Sequence, residues 1–555
     1  MSLPLLGAIV LVALVLGYRL YGRLIARLLR LDDARRTPAE EFSDGADYVP
    51  TRPFYLMSQH FSAIAAAGPI AGPILACREF GWLPCVLWIG LGVVFIGAVH
   101  DLTSLVASIR HRARSIAEIV RENIGARAWA AILGFIWLAL VYVIVAFADV
   151  TAGTFVTGGE ELEGAGGTFN AGGAVAAAAT MYLLLAVVMG FVQQRFALPL
   201  RLATAIFVPA TLAVVWLGTK VSTVLLFSHG TWAFLIMAYC FVAALLPVWT
   251  LLQPRGYLGG FVLYLALAVG VVGIFFGGFE IKQPALTDRP LFGLSGSVFP
   301  FLFVTIACGA CSGFHGLVCS GTTSKQVARE SHCRPIGYGA MLLEGFVALI
   351  ALSTVLILPP EEAKGQPGVL YGDGIARFLA VVLGDGAYRT LRVFGAMAFS
   401  TFVFDTLDVA TRLGRYILQE LTGRRSRGAA VLATAVTAAV PLAILLAAGK
   451  DSYRTFWTLF GTSNQLLAGL TLLGVSVWLR RTGRPCWFTV IPMLFMMTIT
   501  VWSLVGQIGA FFRGKTVVSY ANGVTAVLLL ALAALLAVEA SRALLGSPRR
   551  TAAGG

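Results

Sequence analysis

The chain has 555 residues, of which 58% are hydrophobic and only 12% charged, with a formal net charge of +14 and a mean hydropathy of +0.84. Soluble domains carry about a quarter charged residues, so this composition excludes a soluble enzyme and leaves a membrane protein. The basic residues sit in short joints between apolar stretches, where they set topology and require no nucleic-acid partner.

A spanning helix needs about 20 mostly apolar residues. The first such stretch, residues 3–24, has no basic residue before it and arginines after it, the reverse of a signal peptide, and reads as a retained span. Further stretches follow at 54–76, 83–109, 129–155, 174–191, 200–218, 232–252 and 258–278. The second half adds 299–319, 337–358, 391–410, 429–448, 456–479, 488–512 and 523–545, for about fifteen spans in all. The segment 359–389 reads as a longer loop.

Arginine and lysine concentrate in alternate joints, as expected of cytoplasmic loops. One side holds Arg23 to Arg36, Arg110/Arg112/Arg114, Arg255, Lys325/Arg329/Arg334, Arg412/Arg415 and Arg480/Arg481/Arg484; the other holds Glu160/Glu161/Glu163, Glu361/Glu362 and Asp451. This predicts an N-terminus outside, a C-terminus inside and an odd number of spans. Arg513 and Lys515 are the main exception.

Two spans carry helix breakers. QHFSAIAAAGPIAGPILAC at 59–77 holds Gly68-Pro69 and Gly72-Pro73, and TIACGACSGFHGLVCSGTTSK at 305–325 is rich in glycine, serine and threonine around His315. Unwound backbone inside a membrane is tolerated only within protein or beside water. The two lie about seven spans apart and run in opposite directions, the pattern of discontinuous helices in an inverted repeat. Close helix packing through small residues would also place glycines there.

Ionisable and polar groups inside spans are functional candidates because of their insertion cost. His60, Gly68, Gly72, Thr305, Ser312, His315, Ser320, Thr322, Asn464 and Gln465 are expected to bind an anionic or zwitterionic solute. Asp405, Asp408 and Thr411 follow one another at helical i,i+3 spacing. Paired carboxylates in low dielectric favour one bound proton, so these residues, with Asp149 as a further contact, are candidates for ion coupling. An ion pair of Asp408 with Arg412 is the structural alternative. His100-Asp101, beside a basic joint, reads as a gate or anchor, and Glu344 resembles Asp149. Ser463-Asn464-Gln465 either lines the pocket or bonds between helices. Cys308 and Cys311 with His315 lack the second ligand pair of a tetrahedral metal site, so no metal is expected. No phosphate-binding glycine loop is present, which argues against an ATP-driven pump, and no cofactor is expected.

Five stretches resemble the carbon starvation protein A (CstA) family of bacterial inner-membrane transporters. They are residues 59–76, AVHDLTSLVASIRHRARSIAEI at 98–119, 301–325, DTLDVATRLGRYILQEL at 405–421 and LFGTSNQLLAGLTLL at 459–473. The resemblance implies starvation-linked uptake of peptides, or of pyruvate with proton coupling, and kinship with transporters built on a five-plus-five inverted repeat of LeuT-like type.

The expectation is therefore an all-α polytopic membrane protein. Residues 1–53 would form an extra span and cytoplasmic loop, 54–297 a first repeat, 298–545 an inverted second repeat and 546–555 a short cytoplasmic tail. It would import a small-molecule substrate, peptide or pyruvate, across the inner membrane with a proton or sodium ion. A sodium-coupled amino-acid or organic-anion symporter, a nutrient sensor and a channel are the alternatives. The short polar tail weighs against a sensor.

Overall fold

A chain inside a bilayer has no water to satisfy its amides and carbonyls, so it must close its hydrogen bonds within helices. The computed structural model describes residues 2–44, 48–65, 67–156, 158–161, 168–247, 250–424, 426–448 and 453–545. Apart from one antiparallel ribbon (β1, Gly159–Glu161; β2, Thr168–Asn170), the regular structure of these residues is helical. Glu163 and Asp451 lie outside the described residues.

In chain order the principal helices are α1 (Leu3–Leu28), α2 (Pro53–Ile64), α3 (Gly68–Phe80), α4 (Trp82–Arg110), α5 (Ala126–Phe155) and α6 (Ala171–Phe196). Next come α7 (Leu200–Lys220), α8 (His229–Leu245), α9 (Leu252–Phe276), α10 (Val298–Thr305), α11 (Gly313–Gly321) and α12 (Glu330–Leu356). The last six are α13 (Pro367–Leu383), α14 (Tyr388–Thr422), α15 (Arg427–Ala448), α16 (Tyr453–Arg481), α17 (Trp487–Arg513) and α18 (Val517–Leu545).

Among the described residues, 11 helices are long and apolar enough to cross a membrane, and α2 with α3, bent by 46°, makes a twelfth. Every stretch expected to span overlaps a helix. The expected spans outside the 11 are α2–α3, the 17-residue α8, the divided α10–α11 and α16. Three of these four are the helices that carry breaks or polar runs.

Three sequence expectations are corrected. The segment 359–389 is not simply a loop: it holds the 17-residue α13, which packs antiparallel on α14 through the Asp373–Arg392 ion pair and the Gly372–Ala396 contact. Its two charged residues, Asp373 and Arg377, kept it from reading as apolar. Arg255 is not in an exposed joint; it is fully buried near the start of α9. The first helix of the first broken span ends at Ile64, ahead of both Gly-Pro pairs, and the next begins at Gly68. Pro69 then sits in the first turn of α3, where its missing N–H costs nothing, and Pro73 lies inside a helix that continues.

Large apolar side chains of α1, α7, α15 and α18 are exposed on the outside of the bundle, among them Ile9, Ile206, Leu432 and Leu528. Faces this apolar on a soluble protein would drive association, and here they are the faces for lipid. Helices α5, α12, α14 and α16 fill the centre. The joints also sort by end. Arg110 donates to the carbonyl of Arg30 (3.0 Å), and Thr51 N–H to that of Gln326 (3.0 Å), at one end. At the other, Arg78 reaches Gly365 O (3.0 Å) and Arg289 pairs with Glu79 (2.5 Å).

In lipid, helices associate through close van der Waals packing rather than the hydrophobic effect. Gly461 of α16 lies directly on the Val304 carbonyl oxygen, so an added methyl group would collide with backbone. Gly461→Ala is expected to destabilise the protein by about 1–3 kcal/mol, as overpacking does. Thermal unfolding in detergent checks this against Gly134→Ala, where a methyl meets nothing within 4 Å.

Candidate functional site

The two broken helices cross at their breaks. A methyl on Gly72 would lie 2.7 Å from the Thr305 carbonyl oxygen, and one on Gly68 would lie 2.5 Å from Cys308. Glycine at these positions lets α3 reach the unwound backbone between α10 and α11.

That unwound stretch, residues 306–312, frees backbone groups that must find partners in the protein. Helix α16 supplies them. Trp457 Nε1 donates to Thr305 O (3.1 Å) and Gln465 Nε2 to Phe303 O (2.7 Å). Asn464 Nδ2 donates to Ser312 Oγ (3.0 Å) and Cys308 Sγ (3.2 Å), while its Oδ1 accepts from Phe314 N–H (3.0 Å). One amide at the start of α11, expected to face a solute, is therefore occupied by Asn464. Thr305 returns its hydroxyl to Phe301 O (2.7 Å).

Beside the crossing, α11, α4 and α12 bring together a buried chain of ionisable groups. Asp101 accepts at Oδ1 from His100 Nδ1 (2.7 Å) and at Oδ2 from His315 Nδ1 (2.9 Å). His315 Nε2 lies 3.2 Å from Glu344 Oε2, close enough for strong electrostatic contact but off the line of a hydrogen bond. All four side chains are at most 1% exposed. His60 shares a hydrogen bond with Thr323 Oγ1 (2.9 Å) and approaches Cys319 Sγ (3.9 Å), which in turn donates to Asp101 O (3.5 Å).

The chemistry follows from donor counting. An ionised Asp101 accepts from both histidines at Nδ1, so Nε2 of His315 is the atom that faces Glu344. One proton can sit on that Nε2 with Glu344 ionised, or on Glu344 with His315 neutral. Either way the four groups hold one net negative charge, and one more proton neutralises them. Such a set can gain and lose a proton without burying net positive charge.

Asp405 and Asp408 are arranged differently. Arg255 lies between them, donating from Nε to Asp405 Oδ1 (2.7 Å) and from its terminal nitrogen to Asp408, Tyr239 OH (2.7 Å) and Phe404 O (3.1 Å). Tyr239 OH also donates to Asp408 Oδ2 (2.8 Å). The alternative Asp408–Arg412 pair does not form; Arg412 instead donates to Ala243 O (2.8 Å) and Leu246 O (3.0 Å) at the end of α8. Thr411 is bonded back to Leu407 O (2.8 Å). Asp149 lies against His229 (3.0 Å). Ser320 and Thr322 return their hydroxyls to Gly316 O (2.7 Å) and Val318 O (3.1 Å), further along α11 than the break.

A family model for carbon starvation protein CstA matches residues 3–365 and 362–503. The chain belongs to the carbon starvation protein CstA family. It is 34% identical to a peptide transporter CstA of Helicobacter pylori strain J99 over 572 residues, covering 88% of this chain and 79% of that protein. A peptide transporter CstA of Bacillus subtilis is 31% identical, covering 95% of this chain and 94% of the relative. The pyruvate/proton symporter BtsT of Escherichia coli K12 is 32% identical, covering 88% and 79%. Among solved structures, a manganese transporter of Eremococcus coleocola aligns with a TM-score of 0.43 at 13% identity, covering 90% of this chain and 99% of that one.

Sequence reasoning found His60, His315, Ser312, Asn464 and Gln465, which do converge. It read His100-Asp101 as a gate or anchor and Glu344 as a contact like Asp149, and it missed Arg255 and Tyr239, whose partners lie on helices remote in sequence. A charged residue inside a span was the signal available for Asp101 and Glu344; Arg255, near the start of α9, carried no such signal.

Removing Arg255 would leave two carboxylates buried without a counter-charge. Arg255→Gln is expected to cost about 3–5 kcal/mol, the range for breaking a buried pair from one side. Adding Asp405→Asn and Asp408→Asn should recover part of that loss in thermal unfolding. A triple variant no more stable than the single would refute the arrangement.

Proposed function

We propose that this chain is a proton-coupled secondary transporter that imports a small carboxylate, pyruvate or a short peptide, by alternating access. The observation that carries this is the crossing of two interrupted helices beside the buried His100–Asp101–His315–Glu344 chain. Interrupted helices beside a buried proton-accepting group supply both a place for solute at mid-membrane and a means of coupling. The printed names of the relatives, peptide transporter CstA and pyruvate/proton symporter BtsT, support the substrate class and the ion.

In this reading Asp101 fixes the Nδ1 tautomer of His315, and the exchanging proton resides between His315 and Glu344. Asp405 and Asp408 neutralise Arg255 and fasten α14 to α8 and α9. Solute enters between the breaks, where Cys308 and Ser312 lie at the crossing. The chain resides in the cytoplasmic membrane with its N-terminus outside and C-terminus inside, because the arginine-rich joints gather at one end of the bundle. About fifteen crossings in an inverted LeuT-like repeat, with halves led by α2–α3 and α10–α11, fit that sorting.

The test uses purified protein in liposomes holding a pH dye, challenged with pyruvate and then a dipeptide, with and without sodium. Solute-dependent internal acidification without sodium is expected. Glu344→Gln should abolish acidification while solute exchange across the membrane persists, because exchange needs no net proton movement. Undiminished acidification in Glu344→Gln, or a strict sodium requirement, would overturn the coupling scheme.

A further inference from the structure

At the end of the bundle where the arginine-rich joints meet, a pocket of about 580 Å³ opens between four segments. These are the stretch following α1, the end of α4, the start of α12 and the end of α16 with the residues beyond it. Five arginines (Arg35, Arg36, Arg110, Arg112 and Arg484) line it, against two glutamates, Glu41 and Glu330. Trp478 and Thr482 form part of the wall.

The two glutamates are already committed. Glu330 is 2% exposed and takes a two-point contact from Arg110, whose Nε and a terminal nitrogen each donate at 2.9 Å. It also accepts the Asp32 N–H (2.9 Å). Glu41 lies 3.5 Å from Arg112. That leaves Arg36 and Arg484 without a carboxylate among the described residues, and Arg35 with only a loose 3.9 Å contact to Asp32. Arg484 is anchored by donating to the Leu29 carbonyl. Partial burial and the neighbouring guanidinium groups of Arg110, Arg35 and Arg30 bring Arg484 below its ordinary pKa, with Glu330 opposing.

A second observation concerns one of the residues that line this space. Arg110 is nine-tenths buried, yet its other terminal nitrogen has no hydrogen-bond partner among the described residues. A buried guanidinium N–H normally has an acceptor, and an unpaired one costs free energy. Surplus positive charge in a concave site, with an orphaned guanidinium nitrogen on one of its lining residues, matches an oxyanion with several acceptor oxygens. Arginine forks suit phosphate in this way.

We propose that this pocket binds a phosphate-bearing anion, which bridges Arg36, Arg110 and Arg484 and ties the segment after α1 to the ends of α4 and α16. The phosphate can come from a lipid headgroup or from a soluble compound, since both present the same oxygens. This site is distinct from the crossing of the broken helices, so it stands or falls independently of the transport reading.

The test measures binding of inorganic pyrophosphate to the full chain in nanodiscs of phosphatidylcholine by calorimetry. Saturable binding is expected, weakened about tenfold by Arg484→Gln, which corresponds to about 1.4 kcal/mol, and also weakened by Arg36→Gln. Arg36 makes no ion pair among the described residues, so its replacement should leave thermal unfolding unchanged. Repeating the titration with phosphatidylglycerol in the disc separates the sources. Loss of pyrophosphate binding there identifies a lipid headgroup, and its persistence identifies a soluble phosphate. No saturable binding in phosphatidylcholine discs, or binding unaffected by both substitutions, overturns the proposal.

Discussion

An unwound turn inside a bilayer must have all its backbone polar groups satisfied by protein, and the structure is arranged around that requirement. Between α10 and α11 the chain leaves helical geometry for residues 306–312. Helix α16 is pressed against this stretch so closely that only glycine fits at 461. Three of its side chains, Trp457, Asn464 and Gln465, bind the freed groups at or beside the break. A polar run on α16 is thus what makes the break on α10–α11 affordable in lipid, and it is also why α16 is not among the most apolar helices.

The same solvent constraint separates two kinds of buried charge. Around Arg255, one cation meets two carboxylates and a tyrosine hydroxyl, and the charges are held in fixed geometry. Such a knot fastens α14 to α8 and α9. Around His315, two carboxylates share histidines with one position off the hydrogen-bond line, so a proton has more than one place to rest. Both clusters pair carboxylates with nitrogen bases. They differ in whether the base can release its proton, which arginine cannot and histidine can.

Family membership and geometry converge without being the same argument. The match to carbon starvation protein CstA spans nearly the whole chain, and relatives at 31–34% identity are named as transporters of peptides or pyruvate. The crossing of the breaks and its surrounding polar groups are features of this chain's own fold.

Much of the architecture was legible in the sequence because hydropathy is a local property. Runs of about 20 apolar residues announce helices wherever they fall, and glycine, proline and serine announce where a helix is interrupted. His60, His315, Asn464 and Gln465 stood out because each is polar in an apolar run. The sequence did not disclose which polar groups meet. Asp405 and Asp408 lie three residues apart on one helix, which suggested a shared proton, but their partner is Arg255, 150 residues away from Asp405. Asp101 and Glu344 were set apart from His315 for the same reason, and α13 was hidden by two charges that its neighbours neutralise. By itself the sequence determined the solvent, the helices and the places where they break, since these depend on residues near one another in the chain. Only the tertiary structure decided which carboxylates meet arginine and which meet histidine, since in low dielectric that depends on contacts across a few ångströms between distant segments.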